Sequence, residues 1–153
     1  MSNLYLLAIL PPKELAEQIH EIRLECSEKF SVQKALKPPV HITLYRIFRT
    51  KDTFEKQLIR LLHQGTRNLP SFEQTLENFD AFNMQVVFIR ALKNEGIINL
   101  HRGISAVFKK YQIDPQEIKS NSAFQPHITI AYRDVLPDIF PAIWREYKDR
   151  KFK

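Results

Sequence analysis

Lys37 to Arg46 read KPPVHITLYR, and Phe124 to Arg133 read FQPHITIAYR. Each stretch sets an imidazole two residues before a threonine hydroxyl, with isoleucine between them and a Tyr-Arg pair behind. Five His and six Thr in 153 residues lead one to expect about 0.2 His-x-Thr triplets by chance. Two with shared flanks are therefore a repeated motif. On a strand, residues i and i+2 point to the same face. His41 thus shares a face with Thr43, and His127 with Thr129, while Val40, Ile42, Leu44, Ile128 and Ile130 point the other way into apolar packing.

Two imidazoles and two hydroxyls on wet strand faces suit a phosphodiester. Cleaving one requires deprotonating an attacking oxygen and protonating a leaving one, and an imidazole with an unperturbed pKa of about 6.5 serves both. Attacker and leaving group lie on opposite sides of phosphorus, so a two-sided site is natural. Thr43 and Thr129 can donate hydrogen bonds to the non-bridging oxygens. If the second strand stays regular, Arg133 falls on the His127 face and neutralises phosphate charge. Tyr45 falls on the His41 face and is placed to stack a base. Arg46 and Tyr132 have the opposite parity and reach substrate only through a bulge or strand end. Phe124 and Phe48 are further candidates to flank a base, or else core residues.

The elements that position these groups follow from hydrophobic periodicity. Apolar Leu4–Leu10 reads as a buried strand that runs into Pro11-Pro12, and Pro12 suits the first turn of a helix. Leu15, Ile19, Ile22, Cys26 and Phe30 recur at helical spacing. Pro38-Pro39 bars any helix and delivers the chain extended into the strand Val40–Ile47. A helix with Phe54, Leu58, Leu61 and Leu62 on one face ends near Gly65. Two β-like runs, Phe72–Phe79 and Gln85–Leu92, join around Asn83. The next helix carries Ile97, Ile104, Val107, Phe108 and Tyr111, and a polar stretch, Asp114–Ser122, leads to the second His-Ile-Thr strand. Ile139, Phe140, Ile143, Trp144 and Tyr147 read as a last amphipathic helix. Strand, helix and His-Ile-Thr strand thus occur twice, the histidines 86 residues apart. This predicts one α+β domain, 1–153, of two lobes related by an approximate twofold axis, about 1–68 and about 69–153. Helices lie outside, and central antiparallel strands carry the motifs at a cleft.

The bulk properties narrow the function further. A length of 153 residues with 44% hydrophobic and 26% charged side chains fits one globular domain. The single Cys26 cannot form an internal disulfide, which predicts a reducing, cytoplasmic setting; on its helix it reads as a small buried hydrophobe. No segment is long enough to span a membrane, and neither a basic leader nor a cleavage site marks a signal peptide. The net charge of +6 favours a polyanionic partner such as RNA. A lone His-Ile-Thr would be a structural histidine; the repetition argues against that. His101 shares a helical face with apolar residues and reads as semi-buried, while His20 and His63 read as solvated. No Cys pair, His-x₃-His or nearby acidic ligand completes a zinc shell around His41 and His127, so neither metal nor other cofactor is expected.

With two His-x-Thr-hydrophobic motifs, one per half, the chain resembles the two-histidine (2H) phosphoesterase superfamily, in particular its 2′-5′ RNA ligase-like, cyclic phosphodiesterase branch. The resemblance covers nearly the whole chain. It implies a bilobal fold, a metal-independent site and action on 2′,3′-cyclic phosphates or 2′-5′ linkages of RNA or nucleotides, as a hydrolase or in the direction of ligation; a monomer is expected. By position it makes His41 and His127 the acid/base pair and Thr43 and Thr129 the phosphate binders. Two departures stand out. Members of this branch often carry Arg five residues after the second His, where this chain has Tyr132. They also usually add a strand after the last helix, whereas this sequence stops at Phe152-Lys153. Two other classes compete with the enzyme: a non-catalytic module that binds an RNA end or nucleotide, and an interaction protein.

Overall fold

Prolines punctuate the backbone where the sequence predicts. In the computed structural model, which describes residues 1–115 and 124–153, β1 (Ser2–Ile9) ends before Pro11-Pro12, and α1 spans Lys13–Phe30. Pro12 takes the capping position, its carbonyl accepting from Ala16 N at 2.8 Å. A 3₁₀ turn, Lys34–Leu36, precedes Pro38-Pro39, and β2 (Ile42–Lys51) follows. Then come a second 3₁₀ turn (Asp52–Phe54), α2 (Glu55–Thr66), β3 (Leu76–Phe82), β4 (Val86–Ala91), α3 (Glu95–Lys110), β5 (His127–Ala131) and α4 (Phe140–Tyr147). The fold is α+β, with sheets β1-β2 and β3-β4-β5. Of the polar stretch expected over Asp114–Ser122, everything from residue 116 lies outside the described residues. No helix among the described residues is long and apolar enough to cross a membrane.

The chain forms two compact units, each gathered from three stretches. The first comprises residues 1–8, 43–74 and 93–125. There Met1 O accepts from Asp52 N at 2.9 Å, beside the β1-β2 pair. The expected buried character of Leu4–Leu10 is not found: Leu4, Leu6 and Leu10 are 60%, 38% and 63% exposed. An apolar run supplies the material for a core, but only a second layer over that face makes it one. Packing is tight between α2 and α3, where a Cβ on Gly65 would overlap the Val107 Cγ2 methyl. The centre of the unit is an aromatic cluster. Tyr45 stacks on Phe108 at 3.7 Å between ring centroids, and Phe48 meets both rings edge-on. Asn94 caps α3 by accepting from Ile97 N at 2.9 Å. Tyr111, expected on the apolar face of α3, lies just past the helix and is exposed.

The second unit comprises residues 9–42, 75–92 and 126–153. β3, β4 and β5 are antiparallel, with Phe88 opposite Thr129 and Arg90 opposite His127. The β3-β4 turn holds Asn83 and Met84 at φ 49° and 57°, the doubly left-handed turn that suits the twist of a hairpin. β3 starts later than the expected Phe72, and a bulge interrupts it near Asn78 (φ 59°). Asn78 there exchanges two hydrogen bonds with the backbone of Phe152. One sheet face is apolar: Val87, Ile89, Ile128 and Ile130 are almost wholly buried, and α1 packs against β5.

Cys26 and Tyr147 lie fully buried side by side in this unit. Burial pushes the thiol up to about 11 and the Tyr147 phenol above its ordinary value as well. Both groups hold their protons more tightly when folded, so the native state binds more protons than the unfolded chain above the ordinary thiol value of 9.0. Stability should therefore be level up to about pH 8.5 and fall through pH 9 to 11, at about 1.4 kcal/mol per pH unit for a single such group. Urea denaturation at stepped alkaline pH, with Cys26→Ala flattening the slope, checks this.

Candidate active site

The two His-Ile-Thr segments share one burial pattern. From Val40 to Leu44 and from Pro126 to Ile130, side chains alternate buried, half-buried, buried, half-buried, buried. The half-buried positions are His41 and Thr43 in one, and His127 and Thr129 in the other. This is the period-two division that the sequence predicts, and it follows from packing isoleucines on one face only.

His41 directly precedes β2, and its Nδ1 lies 2.7 Å from Pro39 O. A carbonyl only accepts, so Nδ1 carries the proton and the lone pair of the neutral ring lies on Nε2. His127 opens β5 in an aromatic corner. Phe82 meets its ring edge-on at 5.1 Å and Phe88 meets it at a tilt at 4.9 Å, while Phe82 and Phe88 stack on each other at 4.3 Å. Both histidines belong to the second unit. The 3₁₀ turn that leads towards His41 packs on β5, and Asp134 Oδ2 accepts from Gln33 N (2.6 Å) and Lys34 N (3.0 Å) at the start of that turn. The stretches on either side of the two imidazoles are thereby fastened together. Thr43 lies in the first unit and Thr129 in the second.

The outer candidates are placed differently. Arg133 does not continue the His127 face, because β5 ends at Ala131 and Arg133 turns at φ 71°. Asp134 N donates to Tyr132 O at 2.9 Å, closing a three-residue turn with a left-handed centre, a strained geometry for a non-glycine residue. The Arg133 guanidinium lies over the half-buried Tyr132 ring instead. Tyr45 is buried, with Phe108 on its ring and Asp114 accepting from its hydroxyl at 3.0 Å. Arg46 reaches the same Asp114 oxygen at 2.7 Å. Phe124 stacks almost parallel on His101 at 3.9 Å, and burial lowers the His101 pKa. His63 is exposed as expected, but His20 is half-buried, with Nδ1 2.9 Å from Arg23.

Sequence reasoning misses three charged residues. Arg90 stands directly across the sheet from His127 on the same face, 43% exposed at its side chain and hydrogen-bonded to Glu77 O. Asp134 fastens the 3₁₀ turn. Arg23 is buried, and its sequence signal is visible: it sits within the apolar stripe of Ile19, Ile22 and Cys26.

Residues 11–153 match the model of the 2′-5′ RNA ligase superfamily. The chain belongs to this superfamily. This bears out, at the level of the family, the resemblance to the two-histidine phosphoesterases. A Bacillus pumilus (strain SAFR-032) protein bearing the name "Putative phosphoesterase" is 25% identical over 131 residues, which cover 84% of this chain and 70% of that protein. The fold is similar to that of E. coli LigT complexed with 3′-AMP, with a TM-score of 0.59 at 24% identity, covering 88% of this chain and 74% of LigT. Apo LigT gives a TM-score of 0.58 at 22% identity over the same shares.

Within this superfamily member, Asp134→Ala should cost about 1–2 kcal/mol, the usual scale for losing an oxygen that caps free N–H groups. Urea denaturation should register the loss, and amide exchange should quicken at Gln33 and Lys34 before it does in β4.

Proposed function

We propose that the protein is a metal-independent phosphodiesterase acting on 2′,3′-cyclic phosphates or 2′-5′ linkages of RNA or nucleotides. The observation that carries this reading is the identical in-out alternation of the two His-Ile-Thr segments, together with the bond that commits His41 to Nε2. Each half of the sequence, about 1–68 and about 69–153, delivers one histidine and one threonine. The complex of E. coli LigT with 3′-AMP, a nucleotide with its phosphate on the ribose edge that a 2′,3′-cyclic phosphate spans, supports the substrate class.

In hydrolysis of a cyclic phosphate, the neutral imidazole of one histidine takes a proton from water as its oxygen attacks phosphorus. The protonated imidazole of the other gives its proton to the ribose oxygen as the ring P–O bond breaks. His41 enters through Nε2 in either role. Thr43 and Thr129 donate to the non-bridging oxygens, and Arg90 supplies the positive charge expected of Arg133. Ligation follows the same course with a ribose hydroxyl in place of water: it gives its proton to one histidine as its oxygen attacks the cyclic phosphate, and the ribose oxygen released from the ring takes the proton of the other. Buried, unpaired Cys26 suits a reducing compartment, and we take the protein to be a cytoplasmic monomer.

His41→Ala and His127→Ala should each lower turnover of 2′,3′-cyclic AMP by about 10²–10⁴, with thermal unfolding unchanged, the scale of lost acid–base catalysis. Near-wild-type turnover in either variant would refute the paired mechanism. Nucleotide binding without any turnover would mark a non-catalytic module instead.

Two imidazoles account for both proton transfers without a Lewis acid. Turnover is therefore expected to persist in EDTA. Loss of activity that added zinc or manganese restores would assign the chemistry to a metal.

A further inference from the structure

We propose that Arg23 is a positioning residue for catalysis: from beneath the Pro38-Pro39 segment it holds His41 in the tautomer and orientation that expose Nε2. The proposal rests on the paired-histidine reading above. Arg23 sits on α1 at 4% exposure. One terminal nitrogen donates to Ala35 O at 2.8 Å and to Pro38 O at 3.0 Å. The other lies 2.9 Å from His20 Nδ1. A guanidinium only donates, so His20 Nδ1 is the acceptor there.

No carboxylate pairs with this buried charge among the described residues, and Arg23 Nε is buried without a partner. Its pKa is lowered by burial. A buried charge lacking an ion pair is a poor way to gain stability, because desolvation opposes it and an apolar side chain of similar volume packs as well. What Arg23 does provide is direction. Both carbonyls it binds belong to the stretch that ends at His41. Pro38 and Pro39 have φ fixed by their rings, so anchoring Pro38 O sets the Pro38–Pro39 peptide plane and leaves Pro39 ψ as the one torsion between it and Pro39 O, the acceptor of the His41 Nδ1 proton. The linkage therefore runs from Arg23 through Pro38 O and Pro39 O to His41.

The test uses the full chain with ¹⁵N-labelled histidine, comparing wild type with Arg23→Met and Arg23→Lys. Met removes the donors and keeps bulk; Lys keeps charge but cannot bridge both carbonyls and His20 together. At about pH 8, above the ordinary imidazole value, two-bond ¹H–¹⁵N spectra of wild type should show His41 protonated on Nδ1. Both variants should show a mixture of tautomers at His41, with exposed His63 unchanged as internal reference. Turnover of 2′,3′-cyclic AMP should fall by about 10–100-fold with KM within about twofold, as when a catalytic group is displaced while substrate affinity is kept. An unchanged His41 pattern in Arg23→Met overturns the proposal, and the same pattern in Arg23→Lys does so if the Met variant does not fold. If wild type turns over no cyclic phosphate or 2′-5′ linkage, the phosphodiesterase reading falls by itself, and the His41 spectrum still decides whether Arg23 sets its tautomer.

Discussion

Burial of every second side chain in the two His-Ile-Thr segments is the constraint from which the rest of the molecule takes its form. Ile42, Ile128 and Ile130 are nearly inaccessible, and burying an isoleucine is worth about 1.5–3 kcal/mol. A slip of one residue would expose these groups and drive imidazoles and hydroxyls into the apolar layer, where an unpaired polar group costs a further 1–3 kcal/mol or so. Several kcal/mol per segment therefore oppose any register but the observed one. The residues that hold the histidines in place are their apolar neighbours on the opposite face.

The two segments reach this state by different routes. β5 is paired along its length with β4, and the ring of His127 is fixed by Phe82 and Phe88. His41 precedes its strand, outside the ladder. Its orientation depends on a proline pair, a carbonyl and the turn anchored by Asp134. One imidazole is set by sheet and aromatic packing, the other by hydrogen bonds to a stiff extended segment.

What can be read in the sequence follows from how local each cause is. The alternation around His41 and His127 is legible because strand parity depends only on spacing, and Cys26 because a helical stripe does as well. For Arg133 the same parity is extended too far: a left-handed residue after Ala131 leaves no mark in composition when it is not glycine. Tyr45 has the expected parity, yet its ring is covered by Phe108, more than sixty residues away in sequence. The apolar run of β1 reveals what the strand is made of, but not whether another layer covers it. Arg23 interrupts an apolar stripe visibly; that its partners are carbonyls twelve and fifteen residues on cannot be inferred from spacing.

Each unit is woven from three separated stretches, one spanning residues 1 to 125 and the other 9 to 153. No contiguous fragment holds one whole unit without most of the other. On a ribosome that emits the chain from its N-terminus, α1 must wait, with its apolar stripe uncovered, for β5 to emerge. Pairings of such long sequence separation form slowly. The nascent chain thus passes through a long interval in which a chaperone has more to bind than it does once the last thirty residues are free.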